Sequence, residues 1–426
     1  MSLQRWDSGS FGGAAGIDAV HAHIRVGALG DSTVAGGLQN SVGTTVQVGN
    51  AYTDTYAPQA VGGERGGSSS WLTFLCMHSN GSLILNHNGG VASDDSAGCI
   101  SRLDYEISQA PDLMFLQMGI TNDINNLVAF ATSKANVQSA VSRCLLAGIK
   151  PVLVTGYPNN TALKGVKIRA WNEWLKSYGF SAGIPVVDIY TPVVDPANTA
   201  GNWLAANTTD GVHATGLGAQ IAARSVLDQL VLAGVVPPTT DATKFPRLGN
   251  ASFGGTTLEA PGQLLKNPLF YVDANADGLA DSWACAVGTK TITTAPGAGI
   301  VGYAQKVSVV AGQAPVLSQD VTAVAGRRYA YAGLFRTTGC QAGNLQYSIG
   351  AALTFGSPQR QHMAGQNFLG VDFADWTPFY LEFVPQAGAT IIRTIPLTLP
   401  VGAAASATFE FAMLRLTDLT ALEAPY

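Results

Sequence analysis

Two short blocks hold the residues whose types and spacing could do chemistry together. Gly30-Asp31-Ser32 closes the apolar run 24–29, and Asp210-Gly211-Val212-His213 sets a carboxylate three residues before a histidine with a glycine between them. Serine hydrolysis needs a nucleophile, a base that takes its proton, an acid that orients the base, and N–H donors where negative charge develops. Ser32, His213 and Asp210 offer one candidate for each of the first three roles. Each block alone also has a plainer reading: a tight turn leading into a helix cap for Gly-Asp-Ser, and a capping aspartate beside an exposed histidine for the second. The remaining histidines carry less. His21-x-His23 lacks a third metal ligand, His87 sits in a strand-end loop, and His78 and His362 carry no signal.

The elements that must position these residues alternate along the first half of the chain. Short apolar runs ending in turn residues read as buried strands at 24–29, 82–85, 113–118, 151–155 and 184–189. Between them, apolar spacing predicts helices near 70–77, 96–107 (Cys99, Ile100, Leu103, Ile107), 137–147 (ended by Gly148), 168–178 and 219–232. Such alternation predicts a parallel sheet with helices on both faces, whose ligands gather beyond the carboxyl ends of the strands. Ser32 follows the first strand; polar loops follow the second, at 86–95, and the third, at Gly119-Ile120-Thr121-Asn122-Asp123. The Gly/Ser/Thr-rich stretch 36–70 reads as loops around the site.

Taken together and in this order, Gly30-Asp31-Ser32, Asn122-Asp123 and Asp210-x-x-His213 resemble the GDSL or SGNH hydrolase family over about residues 22–235. The resemblance implies a flavodoxin-like three-layer α/β fold, a Ser32-His213-Asp210 triad, an oxyanion hole from the Ser32 backbone N–H, a Ser93 backbone N–H and the Asn122 side chain, and no cofactor for catalysis. Three positions depart from the family pattern. Thr33 and Val34 replace an apolar residue followed by threonine, Ser93 stands at a usual glycine, and Ile120 stands before Thr121-Asn122-Asp123 where glycine is frequent.

From residue 264 the chain turns to short Val/Thr/Tyr/Phe-rich segments with period-two alternation, which predicts an all-β sandwich of jelly-roll type. The domain reading is 1–235 for the hydrolase, a Pro/Gly-rich linker at 236–263, and 264–426 for the sandwich. Within it, the segment 273–281 places oxygen side chains at alternate positions around an Asp-Gly turn, the start of a calcium loop. Asp273, Asn275, Asp277 and Asp281 would donate side-chain oxygens and Leu279 its carbonyl; the glutamate that completes an EF-hand is absent, Ala284 standing in its place. A polar turn is the alternative. This opening, with Trp283 and the segments 316–321 and 325–329, resembles jelly-roll carbohydrate-binding modules. That likeness implies Trp283, Tyr347, Phe368 and Trp376 as sugar-stacking platforms, although aromatic side chains more often fill a core.

Composition narrows the function classes. A chain of 426 residues has room for two cores, and its charged fraction of 12% is about half the ~25% of an ordinary soluble protein. The net charge of -5 without a Lys/Arg block argues against nucleic acid as a partner. No apolar stretch reaches the ~20 residues of a membrane span. The first residues lack the apolar core of a secretory signal, so a signal is either absent or removed, and an extracellular or virion-associated location is the expectation. The five cysteines show no metal spacing, and Cys285 could pair with Cys340 in an oxidising compartment. The combined reading is a serine esterase that removes short acyl groups, acetyl among them, from a carbohydrate or small polar ester, with the sandwich tethering it to a polymer. A lipase or thioesterase is one alternative, and a non-catalytic glycan-binding or phage-tail adhesion protein is another.

Overall fold

The computed structural model describes residues 24–35, 45–48, 51–54, 70–79, 82–237, 252–254, 257–259, 262–355, 361–385, 387–399 and 402–422. His21, His23 and most of the expected linker 236–263 lie outside them. Among the described residues, those up to 237 belong to one compact unit and those from 252 onward to a second.

The first unit runs β1 (Ile24–Gly30), α1 (Ser32–Ala35), a hairpin of β2 (Thr45–Val48) and β3 (Ala51–Asp54), α2 (Trp71–His78), β4 (Leu83–Gly90), α3 (Ser96–Ser108), β5 (Leu113–Gln117), α4 (Ile120–Asn125), α5 (Phe130–Leu146), β6 (Lys150–Val154), α6 (Ala162–Ala182), β7 (Val186–Val187) and α7 (Gly216–Leu232). Its main sheet has the order β4-β1-β5-β6-β7, with every pairing parallel. The near-continuous apolar strands follow from burial on both faces. On one face α3, α5 and α6 close a core through Cys99, Leu103, Val137, Val141, Ile168, Trp171 and Leu175 against Leu29, Met114 and Leu153. On the other, α2 packs against α7. This is the three-layer α/β fold around a parallel sheet that the sequence predicts.

Two features of the sheet bear on the site. The strand order reverses between β1 and β5, the switch point at which such sheets form a crevice. Gly30 lies opposite both Gly90 of β4 and Gln117 of β5, so the loops after these three strands leave the sheet at one level. One expectation is corrected here. The polar stretch from Asn86 to Gly90 is not a loop but the second half of β4, and the loop is only 91–95. Inside the fold Asn88 Nδ2 donates to the Val34 carbonyl at 3.1 Å, and buried His87 pairs through Nδ1 with buried Glu106 of α3. Gly90 admits the close crossing, since a Cβ there would lie 2.2 Å from the Ala35 nitrogen. His87 therefore packs into α3 and does not line the strand-end loop.

The second unit carries a short hairpin, β8 (Ser252–Gly254) and β9 (Thr257–Glu259), then β10 (Ala284–Cys285), β11 (Thr289–Thr293), β12 (Ala304–Val309), β13 (Val316–Thr322), β14 (Tyr329–Thr338), β15 (Gln346–Phe355), β16 (Gln361–Leu369), β17 (Phe373–Phe383), β18 (Ala389–Thr398), β19 (Ala407–Asp418) and the last turn α8 (Leu419–Leu422). Ten of these strands form two five-stranded antiparallel sheets, β10-β13-β18-β15-β16 and β11-β12-β19-β14-β17. Aromatic side chains join them: Tyr347 of β15 meets Phe409 of β19 edge-on at 5.3 Å, and Phe368 of β16 lies 5.7 Å from Phe335 of β14. The unit is an all-β sandwich with its core between the sheets. Tyr347 and Phe368 are fully buried and Trp283 nearly so, which removes three of the four sugar-platform candidates. Cys285 and Cys340 are separately buried free thiols, not a disulfide. Among the described residues no helix is long and apolar enough to cross a membrane.

Candidate active site

The turn after β1 is built by Asp31. Buried at the end of the strand, it accepts the Val34 and Ala35 N–H groups on its carbonyl at 3.1 and 3.0 Å, and the Thr33 N–H and hydroxyl on its carboxylate at 2.8 and 2.6 Å. It is the cap of α1, whose first residue is Ser32. The plain reading of Gly-Asp-Ser as a capped turn is thus correct, and it is also what presents the serine hydroxyl. Gly30 is required beneath it, because a Cβ there would lie 2.4 Å from Val34 Cγ2 and 2.6 Å from the Gln117 carbonyl. Burial pushes the Asp31 carboxyl up, opposed by the two Thr33 hydrogen bonds.

The second block lies in the loop between a 3₁₀ turn, Ala205–Asn207, and α7. Ser32 Oγ is 2.8 Å from His213 Nε2, and His213 Nδ1 is 2.6 Å from Asp210 Oδ2. The other Asp210 oxygen accepts the Val212 and His213 backbone N–H groups, each at 2.8 Å, which fixes the carboxylate under the ring. Thr208 Oγ1 donates to the His213 carbonyl at 2.7 Å and accepts the Gly211 N–H at 3.0 Å. Gly211 turns with φ 77°, and its carbonyl accepts the Asn160 N–H at 2.9 Å, anchoring the loop to the segment after β6. Desolvation opposes ionisation of Asp210. The hydrogen bonds from the His213 ring, then from the His213 and Val212 backbone, outweigh it and hold the carboxyl down at about 2.

The expected oxyanion donors stand on the two neighbouring loops. Ser93 is exposed at φ 65°, the left-handed conformation that explains why glycine suits this position. Among the described residues no acceptor meets the Ser32 or Ser93 N–H. Asn122, in the first turn of α4, gives one amide hydrogen to the Asp94 carbonyl at 2.8 Å and lies 3.5 Å from Asp31 Oδ2. The left-handed residue that starts this turn is Gly119, φ 53°, so Ile120 need not be glycine; it is buried in the core as the first helical residue. Arg102, Asp94, Thr208 and Asn160 also shape the site, though no local motif marks them for it. Arg102 had a signal, a charge beside the apolar face of α3, and it is 3% exposed with its guanidinium on the Gly89 and Gly30 carbonyls and the Asp94 carboxylate.

The candidate metal loop 273–281 is closed by its own hydrogen bonds. Asp273 accepts the Asp277 and Gly278 N–H groups at 3.2 and 3.0 Å, Asp277 accepts Leu279 N–H at 2.8 Å, and Asp281 accepts Ala274 N–H at 3.2 Å. The donor atoms are all oxygens, which suits a hard cation, and each carboxylate keeps lone pairs free. Among the described residues, no three His, Cys, Asp or Glu side chains converge as they stand.

No curated protein matches the chain. Solved structures similar to it include a GDSL-like lipase from Bacteroides thetaiotaomicron (19% identity, 50% of this chain and 89% of that one, TM-score 0.36). A member of the lipolytic protein G-D-S-L family from Veillonella parvula is 18% identical over 48% of this chain and 96% of that one, TM-score 0.33. An acetylxylan esterase from Geobacillus stearothermophilus is 16% identical over 50% of this chain and 95% of that one, TM-score 0.37. Residues 28–221, which run from inside β1 into α7 and include every candidate side chain of the site, match the model of the GDSL-like lipase/acylhydrolase family.

Proposed function

We propose that the first unit is a serine esterase that removes short acyl groups, acetyl among them, from a carbohydrate or a similarly polar small ester. The observation that carries this reading is the relay from Ser32 Oγ through His213 to the ionised Asp210, at 2.8 and 2.6 Å. In it His213 Nε2 takes the hydroxyl proton as Ser32 Oγ attacks the ester carbonyl. The oxyanion of the tetrahedral intermediate meets the Ser32 and Ser93 N–H groups and the Asn122 amide hydrogen that is otherwise held only by the long, 3.5 Å contact to Asp31 Oδ2. His213 then returns the proton to the leaving alcohol, leaving an acyl-Ser32, and a water activated by the same imidazole releases the acid. No step calls for a metal or a cofactor.

The polar-ester choice rests on the sandwich attached to the domain and on the low charge of the chain. Trp376, half-buried on β17, is the aromatic platform left for a glycan, though it is engaged by Arg336 at 4.7 Å and by the Pro296 carbonyl at 3.0 Å. Two exposed leucines favour a second reading, hydrolysis of longer acyl esters or thioesters. Leu127, 83% exposed, follows α4, and Leu163, 79% exposed, follows the Asn160 segment that anchors the triad loop. One assay series separates these. With p-nitrophenyl esters from acetyl upward, Ser32→Ala loses about 10³-fold or more in kcat with an unchanged circular dichroism spectrum. A rate that falls with chain length supports the short-acyl reading and one that rises supports the other. Turnover that survives in Ser32→Ala removes the triad, whereas a parent chain with no turnover on any ester of the series returns it to a non-catalytic adhesion role.

The same reading puts the protein outside the cell or on a virion, where acylated polymers are met; recovery only from cell lysate, in the native host, argues against it. Asp273, Asn275, Asp277 and Asp281 with the Leu279 carbonyl are the proposed ligands of a structural calcium ion.

A further inference from the structure

Arg102 is a guanidinium held inside an apolar helix–sheet layer, and its partners are not neighbours in sequence. Nη2 donates to the carbonyl of Gly30, the residue before Asp31-Ser32; Nη1 donates at 2.6 Å to Gly89 near the end of β4; Nε and Nη2 fork onto the Asp94 carboxylate in the loop after β4. A buried cation is expensive to desolvate, and an apolar side chain of similar volume would fill the same space at lower cost. What the guanidinium adds is rigid, directional contact with three points. All three lie at or beside the ends of β1 and β4, from which the chain leads on to Ser32 and from which the Ser93 loop leaves the sheet.

From Asp94 the chain of contacts continues into the oxyanion donors. Its carbonyl receives the Asn122 amide, and its amide position follows directly on left-handed Ser93. The third loop is pressed against the same segment: a Cβ on Gly119 would lie 2.7 Å from the Asp95 carbonyl carbon and 2.9 Å from the Asp94 oxygen. Room for the Asp94 carboxylate is made by Gly98 in α3, where a Cβ would fall 1.7 Å from Asp94 Oδ1. A glycine in the first turns of a helix otherwise weakens it. Here it seats the carboxylate against Arg102.

We infer that Arg102, Asp94 and Gly98 form a positioning strut that sets the Ser93 N–H and the Asn122 amide relative to Ser32, and so the aim of the oxyanion hole. This rests on the esterase reading of the site. None of the three touches the reacting atoms; they act through Ser93 and Asn122.

Gly98→Ala tests the strut without dismantling the fold, because the clashing atom is the end of a side chain that can swing away while alanine favours the helix. Parent, Gly98→Ala, Arg102→Lys, Asn122→Ala and the two double variants with Asn122→Ala are assayed on p-nitrophenyl acetate. Rates are taken per active site, titrated with a fluorophosphonate, so that loss of folded enzyme does not enter kcat. The expected result is a kcat lower by about 10- to 100-fold in Gly98→Ala and Arg102→Lys, a part of the ~10²- to 10³-fold worth of an oxyanion donor, with KM nearly unchanged. Asn122→Ala then costs clearly less in either background than in the parent, since the strut and the amide act as one unit. If kcat in both strut variants stays within about twofold of the parent, or if the Asn122→Ala factor multiplies unchanged through all backgrounds, the strut is overturned. Ser32→Ala, run alongside, separates the two failures: activity that survives it overturns the esterase reading itself, whereas activity lost with it but kept in the strut variants overturns only the strut.

Discussion

Asp210 shows how one residue is prepared for its place by backbone as much as by its charged partner. One oxygen is taken by two main-chain N–H groups and the other faces the imidazole, and together these hold the carboxyl at about 2 although half of the side chain is exposed. Its folded-state value lies below the ordinary value of about 4, so its stabilising contribution is full above that ordinary value and is lost as the pH falls through about 2. Exposure screens this contribution, so the larger consequence is for the reaction. Asp210 stays ionised wherever the enzyme is folded and assayed near neutrality. Asp210→Asn is therefore expected to lower kcat on p-nitrophenyl acetate near neutral pH by about 10²- to 10⁴-fold. A kcat within a few-fold of the parent would show that the carboxylate does not orient the base.

At the scale of elements, the site is three loops leaving one end of a parallel sheet. The pairing of Gly30 with Gly90 and Gln117 levels their starting points, and the reversal of strand order between β1 and β5 opens the crevice between them. In the second unit the comparable feature is the loop 273–281, whose carboxylates hold its own N–H groups while Gly278, φ 81°, lets it cross close over Lys290. Calcium bound there would draw the carboxylates together and tie the entrance of the sandwich to β11. The expected outcome is a melting temperature that rises on adding calcium to EDTA-treated protein and does not rise in Asp277→Ala. Equal melting temperatures with calcium and with chelator would leave the loop as a polar turn held by its own hydrogen bonds.

For the molecule as a whole, the candidate catalytic residues from Gly30 to His213 all fall in the first unit, and the second contributes none. Residues 1–238 expressed alone are thus expected to turn over p-nitrophenyl acetate within a few-fold of the full chain. If the sandwich tethers the enzyme, only the full chain keeps its rate on insoluble acetylated polysaccharide as the substrate is diluted. A fragment that folds, by circular dichroism, but is inert on the small ester would show that the sandwich helps to form the site.

The sequence by itself determined the strand–helix alternation, the residues that form the relay, and the division into an α/β and an all-β half, because each of these is written in local periodicity, turn chemistry or short spacing. The extent of β4 was not legible, since Asn86 to Gly90 are loop residues by type and become strand only through parallel pairing with Gly27 to Gly30 of β1, with Glu106 and Arg102 of α3 as side-chain partners. Neither were the sugar-platform aromatics: an exposed and a buried tryptophan share one local pattern, and the facing sheet decides which is which. The capped turn at Ser32 had two readings in sequence that the structure shows to be one. Only the tertiary structure brought Ser32 and His213, 181 positions apart, into hydrogen-bond contact, and only it linked Gly30, Gly89 and Asp94 through a single guanidinium, because contacts between loops at a shared sheet edge depend on strand order and register that no local segment encodes.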